Sequence, residues 1–288
     1  MIGPIRSMLF VPGTRQDRFT KAMSAGADAV VFDLEDSVEV GQKAKARMLV
    51  AECLATPSDG ALRLVRFNAV NTPDGEADLA FFSAARGFDG VVLPKVETAE
   101  AVERVARAFG WDTNAGAVPA LLLLLETPRA ILRAAEIAAA DAPVAALLLG
   151  AEDLTASLAV ERTIEGEELL FARGQIAMAA ASVRADAIDA VFTDLRDPNL
   201  LRRDCERARG LGFRGKMAIH PNQVEVINDV FTPTASEIDR ASRIIAAFET
   251  ARAGGEGVTT LDGRMVELPV MERARRILAL AGNPRTAG

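Results

Sequence analysis

Five consecutive leucines, inside the run ALLLLLETP from Ala120 to Pro128, restrict this chain more than any other stretch. An apolar run with no polar face suits a strand covered on both sides. It is far short of the roughly 20 residues that a membrane span requires. The run stops at Glu126. Thr127-Pro128 then opens a helical pattern, with threonine as cap and proline as first helical residue. A carboxylate is costly inside a buried sheet, so Glu126 is expected where the strand emerges, at its C-terminal mouth. One strand–helix unit later the pattern returns, as Ala145 to Gly150 (AALLLG) empties into Ala151-Glu152-Asp153-Leu154. Two buried strands that deliver an acid at the same end read as two walls of one site.

The rest of the chain alternates in the same way. Strand patterns at 7–11, 29–32, 62–67 and 90–93 are followed by helical patterns at 16–24, 42–54, 75–85 and 98–109. After the two leucine-rich units, with helices expected at 130–139 and 167–184, come strands at 188–193 and 216–219 and helices from 198 and 224. Strands alternating with helices of this length imply parallel pairing through right-handed crossovers. The fold class is α/β, and the repeated unit fits a (β/α)8 TIM barrel over residues 1–250 of the 288. The rival, an open doubly wound sheet, usually carries a G-x-G-x-x-G turn after its first strand, and VPGTRQDR is not one.

Residues 251–288 read differently. Beyond Gly254-Gly255, the stretch GVTTLDGRMVELP predicts a hairpin turning at Asp262-Gly263, a favoured type I′ pair, and a helix over 271–281 closes the chain. A hairpin this small is not stable alone, so the segment is expected to pack as a lid on the barrel or on a neighbouring subunit.

Composition narrows the chemistry. The net charge is −7 with no basic stripe, which argues against a nucleic-acid partner. A single histidine and no tyrosine exclude a zinc site built on several histidines. Cys53 and Cys205 fall in helical patterns without metal-ligand spacing and read as buried thiols in a reducing compartment. Arg6 is followed only by SMLFVP, too short for the apolar core of a signal peptide, so no membrane association and a cytoplasmic location are expected.

In a barrel the active site lies at the C-terminal strand ends. Here those ends carry Arg15, Asp33, Glu35, Arg66, Asn68, Lys95, Glu97, Glu126, Asp153, Asp194 and His220. Adjacent strands lie about 4.8 Å apart, and two carboxylates that close repel unless a proton or cation lies between them. An oxygen-preferring ion such as Mg²⁺ suits Glu126 and Asp153, because it takes one or two protein carboxylates and fills the rest with water and substrate. The bland alternative pairs Glu126 with an arginine and makes Asp153 a helix cap. Arg66, inside an otherwise apolar strand, is suited to an anion or enolate oxygen, or to pairing with Asp33 or Glu35. Lys95 is either a Schiff-base lysine or a partner of neighbouring acids. His220 reads as a satisfied strand-end residue with no catalytic role.

RSMLFVPG, DLEDSV, the arginine of VRFN, GVVLPKVE, ETP, GAEDLTASL, AIHPNQVEVIN and LDGRMVELP together resemble the citrate lyase β-subunit-like group of the HpcH/HpaI aldolase superfamily, in order from about Arg6 to Leu280. The resemblance implies a barrel, usually a homotrimer, that binds Mg²⁺ through Glu126 and Asp153 and cleaves an acyl-CoA thioester to a 2-keto acid and acetyl-CoA. It further implies that Arg66 and Glu126 contact substrate and that Phe10, Arg15 and Lys21 hold coenzyme A. Asp262 is then a catalytic acid–base reaching a neighbouring subunit's site, with Asp33, Glu35 and Lys95 supporting. Three other readings stay open. They are a β subunit acting on citryl-acyl carrier protein, a metal-free lysine aldolase using Lys95, and a non-catalytic CoA-binding regulator.

Overall fold

A computed structural model describes residues 2–57, 60–111 and 118–282. The strands β1 (Ser7–Pro12), β2 (Ala29–Asp33), β3 (Leu62–Arg66), β4 (Gly90–Leu93), β5 (Ala120–Leu125), β6 (Val144–Leu149), β7 (Asp186–Asp189) and β8 (Gly215–Ala218) pair in sequence order. All pairings are parallel, and β8 returns to β1 to close the barrel. Side chains alternate across each strand. Met8, Val31, Leu64, Val92, Leu122, Leu124, Leu148, Ile188 and Met217 therefore fill one interior core. The intervening Leu121, Leu123 and Leu125 are buried as well. The leucine run has no polar face because neither side of β5 meets water. Gly215 opens β8 under the N-terminal strand, where a Cβ would stand 2.1 Å from the Ile5 carbonyl oxygen.

Among the described residues, ten α-helices start within the barrel unit. They are α1 (Gln16–Met23), α2 (Lys43–Ala55), α3 (Pro73–Ser83), α4 (Ala99–Ala108), α5 (Pro128–Leu132), α6 (Ala134–Ala138), α7 (Ala151–Leu158), α8 (Leu170–Ser182), α9 (Pro198–Gly210) and α10 (Val224–Phe231). Thr72, Thr98, Thr127 and Asp197 each accept a backbone N–H as cap, three of them just before a proline. Three expectations shift. The helix expected at 130–139 breaks at Arg133 into α5 and α6. An unexpected helix, α7, starts directly after β6. The seventh strand ends at Asp189 rather than 193, because the carbonyls of Val191 and Phe192 are taken by the Arg162 and Gln223 side chains instead of a neighbouring strand. Cys205 is buried as expected, whereas Cys53 is only half-buried.

The chain divides into two compact units, one ending at Asp229 and one starting at Val230. The second holds α11 (Ala235–Ala253), the hairpin β9 (Thr259–Leu261) and β10 (Arg264–Val266), and α12 (Leu268–Ala281). The expected boundary at 250 falls inside α11, whose Ala241, Ile244 and Phe248 pack with Val266, Met271 and Ala274. The tail thus has a small core of its own. Asp262 and Gly263 both take positive φ, 50° and 72°, as a type I′ turn demands. No helix among the described residues is long and apolar enough to cross a membrane.

A buried ionic quartet joins the last strands of the barrel to the helices outside them. Arg173 of α8 reaches both Asp189 oxygens at 2.9 Å and Asp204 of α9 at 2.8 Å. Lys216 of β8 donates to Asp189 at 2.5 Å and to Asp204 at 2.6 Å. Burial works against charge on Lys216, but its two aspartates outweigh it and raise its pKa, and Asp204 settles at about 2. Breaking a buried pair strands a charge, which costs about 3–5 kcal/mol. Lys216→Met is expected to lower unfolding free energy by about that much, measured by denaturant titration with the slope unchanged. A loss like that of a surface substitution, under about 0.5 kcal/mol, would show that the quartet contributes nothing.

Candidate active site

Five acids and two cations meet at the C-terminal mouth of β2–β6. Asp33 ends β2 and Arg66 ends β3, at paired register positions. The guanidinium grips the carboxylate with two bonds, Nε to Oδ1 at 2.6 Å and Nη2 to Oδ2 at 2.7 Å. Asp33 also accepts from the Ser37 hydroxyl at 2.5 Å. Burial pulls the Asp33 carboxyl upward, but Arg66 and Ser37 outweigh it and leave it below its ordinary value. Phe10 of β1 lies beneath the Arg66 guanidinium, 5.2 Å from ring centroid to Cζ, a cation–π contact. Arg66 is thereby clamped on three sides.

The loop after β2 brings Glu35 and Asp36. Buried Lys43 of α2 holds it from behind, donating to the Leu34 carbonyl at 2.9 Å and the Glu35 carbonyl at 2.7 Å. Glu35 lies between two cations, 3.1 Å from Arg66 Nη1 and 2.9 Å from Lys95 Nζ. Burial still leaves its carboxyl above the ordinary value. Lys95 follows β4 in the left-handed region, φ 53°. That turn aims its backbone N–H at Glu126 Oε1, 2.7 Å away, while its ammonium stands 3.4 Å from Asp36 and 3.6 Å from Asp153.

Glu126 emerges from β5 and is 3% exposed. Its other oxygen is pressed against Gly150 at the end of β6, where a Cβ would stand 2.6 Å from Oε2 and 2.3 Å from the Glu126 Cβ. Only glycine leaves the carboxylate room there. Asp153 lies in the first turn of α7 and is half-exposed; Gly150, not Asp153, is the N-cap. Burial, with Glu35 and Asp153 nearby, pushes Glu126 up to about 8. A buried carboxyl so reluctant to ionise is one that a cation would stabilise, and Glu126 with Asp153 supply the hard oxygen donors that Mg²⁺ takes. Among the described residues no three His, Cys, Asp or Glu side chains form a ready-made cage. Two carboxylates leave the remaining positions to water and ligand oxygens.

A cavity of about 450 Å³ opens over this floor, lined by Phe10, Arg66, Glu126, Gly150, Asp153 and Met217 among others. The residues expected from sequence therefore separate. Phe10, Asp33, Arg66, Glu126 and Asp153 line the cavity, and Glu35 and Lys95 tie them together. Arg15 is exposed and bonded to Asp17 at 2.7 Å, and Lys21 is exposed on the last turn of α1. The α1 cation that lines the cavity is Arg18, which the sequence reading did not single out. Asp36, Ser37 and Gly150 were also missed. Arg18 had a signal in its three-residue spacing from Arg15 and Lys21, and Gly150 had one in ending an apolar strand. Asn68 is spent on Asp78, Glu97 accepts from Thr127, and Asp194 pairs with Arg196. His220 Nδ1 accepts the Asn222 N–H as a cap, the satisfied role expected of it. Asp262 stands at its hairpin turn, exposed, with both oxygens on Arg243 Nη2 at 2.6 and 2.8 Å.

The family model for HpcH/HpaI aldolase/citrate lyase matches residues 6–221. The chain belongs to this family. Among curated members of the HpcH/HpaI family, a citrate lyase subunit beta from Leuconostoc mesenteroides subsp. cremoris is 38% identical over 284 residues, covering 96% of this chain and 93% of the relative. A (3S)-malyl-CoA thioesterase from Cereibacter sphaeroides strain KD131 is 38% identical over 281 residues, covering 96% and 95%. The CitE protein of Mycobacterium tuberculosis, solved in complex with magnesium, acetoacetate and coenzyme A, superposes with a TM-score of 0.80 at 34% identity and 98% coverage of both chains.

The Glu126 shift has a measurable consequence in the metal-free protein. Its folded value of about 8 lies above the ordinary 4.5, so the folded state keeps a proton that the unfolded chain gives up. The group's contribution is whole below pH 4.5 and is lost as pH rises through about 8. With chelator present, wild-type melting temperature is expected to fall across that window, and Glu126→Gln to fall less and end above wild type. Parallel curves for the two proteins would refute the burial penalty.

Proposed function

We propose that the protein is a Mg²⁺-dependent carbon–carbon lyase. It reversibly cleaves a 3-hydroxy-3-carboxyacyl-CoA thioester, of malyl-CoA or citramalyl-CoA type, to a 2-keto acid and acetyl-CoA. The observation that carries this reading is the buried Glu126 facing Asp153 across one cavity wall, with clamped Arg66 on the same cavity. Glu126 and Asp153 hold the ion. An ion held there would supply Lewis-acid polarisation of the bound substrate, which makes its hydroxyl easier to deprotonate. The hydroxyl proton passes to solvent water in the cavity, the electron pair of the carbon–carbon bond shifts toward the thioester, and negative charge gathers on its oxygen. Arg66 stabilises that enolate at no reorganisation cost, because Asp33 and Phe10 have already fixed it. The enolate carbon then takes a proton, and in condensation gives one up, with Asp262 of a neighbouring subunit as the acid–base. Phe10, Arg15 and Lys21 hold coenzyme A, a homotrimer is the assembly, and two unpaired cysteines suit the cytoplasm.

Two variants on this scheme are to be separated from it, hydrolysis of the thioester, the activity in the name of one relative, and action on citryl-acyl carrier protein as a citrate lyase β subunit. One panel separates them. Malyl- and citramalyl-CoA and a citryl-acyl carrier protein are offered with and without Mg²⁺, and keto acid, acetyl thioester and free hydroxy acid are measured. Keto acid from the CoA substrates is the expected outcome, with Asp153→Asn losing most turnover while keeping the fold. Full activity in excess EDTA, or borohydride trapping of substrate on Lys95, would overturn the metal reading.

Completion of the site in trans has its own test. When Asp262→Ala and Asp153→Asn proteins are mixed under subunit exchange, some interfaces pair an intact metal site with an intact hairpin. Part of the activity should return. Demonstrated exchange with no recovery excludes the shared site.

A further inference from the structure

Lys95 touches both carboxylates that the proposed reading gives to the metal, and it does so through different parts of itself. Its backbone N–H fixes Glu126 Oε1 at 2.7 Å. Its ammonium faces Asp153 at 3.6 Å, Asp36 at 3.4 Å and Glu35 at 2.9 Å. Among the described residues it is the cation paired with Asp153. The backbone conformation, φ 53°, is one that glycine adopts freely and a side chain resists. Glycine would satisfy the turn and still present the N–H to Glu126. It would carry no charge. The lysine thus brings to this turn a charge, held among three carboxylates, that glycine would not.

We propose that this ammonium is the resident counter-ion of the metal-free site, a positioning residue that a divalent cation displaces from Asp153. The inference rests on the reading in which Glu126 and Asp153 take the metal. The distances are graded for such an exchange. The ammonium is closest to Glu35, whose loop Lys43 anchors, and most distant from Asp153, which is half-exposed. Release of Asp153 therefore leaves Lys95 still paired with Glu35 and Asp36. Before the metal arrives, the lysine screens carboxylates that would otherwise repel one another. Once it has arrived, the two positive charges oppose each other, so the lysine limits how tightly the ion is held and keeps it exchangeable.

The test uses the full-length protein and Mn²⁺ as the probe, with free Mn²⁺ counted by electron paramagnetic resonance at fixed ionic strength and at a pH above the Glu126 titration. Lys95→Met is expected to bind Mn²⁺ about tenfold tighter than wild type, since a like charge a few ångströms away has been removed. Lys95→Arg, which keeps the charge, should bind near the wild-type value. Without metal the methionine variant should melt lower than wild type, and Mn²⁺ should raise its melting temperature by more. Equal or weaker Mn²⁺ binding by Lys95→Met would overturn the proposal. If that variant fails to fold, Lys95→Gly carries the same test without the backbone strain. Equal Mn²⁺ binding by wild type and Glu126→Gln would instead remove the metal reading itself, and this inference with it.

Discussion

Crowded negative charge is the condition that the mouth of this barrel has to satisfy. Asp33, Glu35, Asp36, Glu126 and Asp153 converge there with Arg66 and Lys95. Like charges this close do not hold a fixed arrangement unless something binds them. The two cations divide the task. Arg66 grips Asp33 through Nε and Nη2, and it is stiffened by Phe10 below and Glu35 beside it. Lys95 spans the gap between the β2 loop and α7. What remains unbalanced is concentrated on Glu126, a buried acid and the one of the five whose pKa is driven furthest upward. The site's appetite for a cation is thus the remainder of an electrostatic arrangement distributed over five strands.

Much of this was legible because it depends on short-range pattern. The leucines of β5 and β6 announce strands covered on both faces, and the acid that follows each must surface at the strand mouth. The Asp262-Gly263 turn is equally local, since its positive φ values come from the residue types themselves. The Asp33–Arg66 pair was open to reading because adjacent strands put their ends side by side.

What escaped depends on three-dimensional neighbours. Gly150 is needed because a residue one strand away presses on it. Asp153 sits in the first turn of a helix that the reading of alternating strands and helices did not set out after the strand. Arg18 lines the cavity while Asp17 engages Arg15; spacing along α1 groups the three cations but does not say which of them reaches in. The boundary of the second unit was misplaced for the same reason, since α11 looks like one more barrel helix until its apolar face is seen against Val266 and Met271.

The buried quartet has a consequence for how the barrel closes. Arg173, Asp189, Asp204 and Lys216 come from α8, β7, α9 and β8 in turn, two cations balanced by two carboxylates that each cation shares. An intermediate that assembles α8, β7 and β8 without α9 leaves Arg173 and Lys216 sharing Asp189 alone, with one positive charge dehydrated and unmatched, and is penalised accordingly. Partial assemblies that hold three of the four groups are therefore penalised, which ties α9 and β8 to one another as they close on β7. The ring is sealed by the part of the chain farthest in sequence from its first strands.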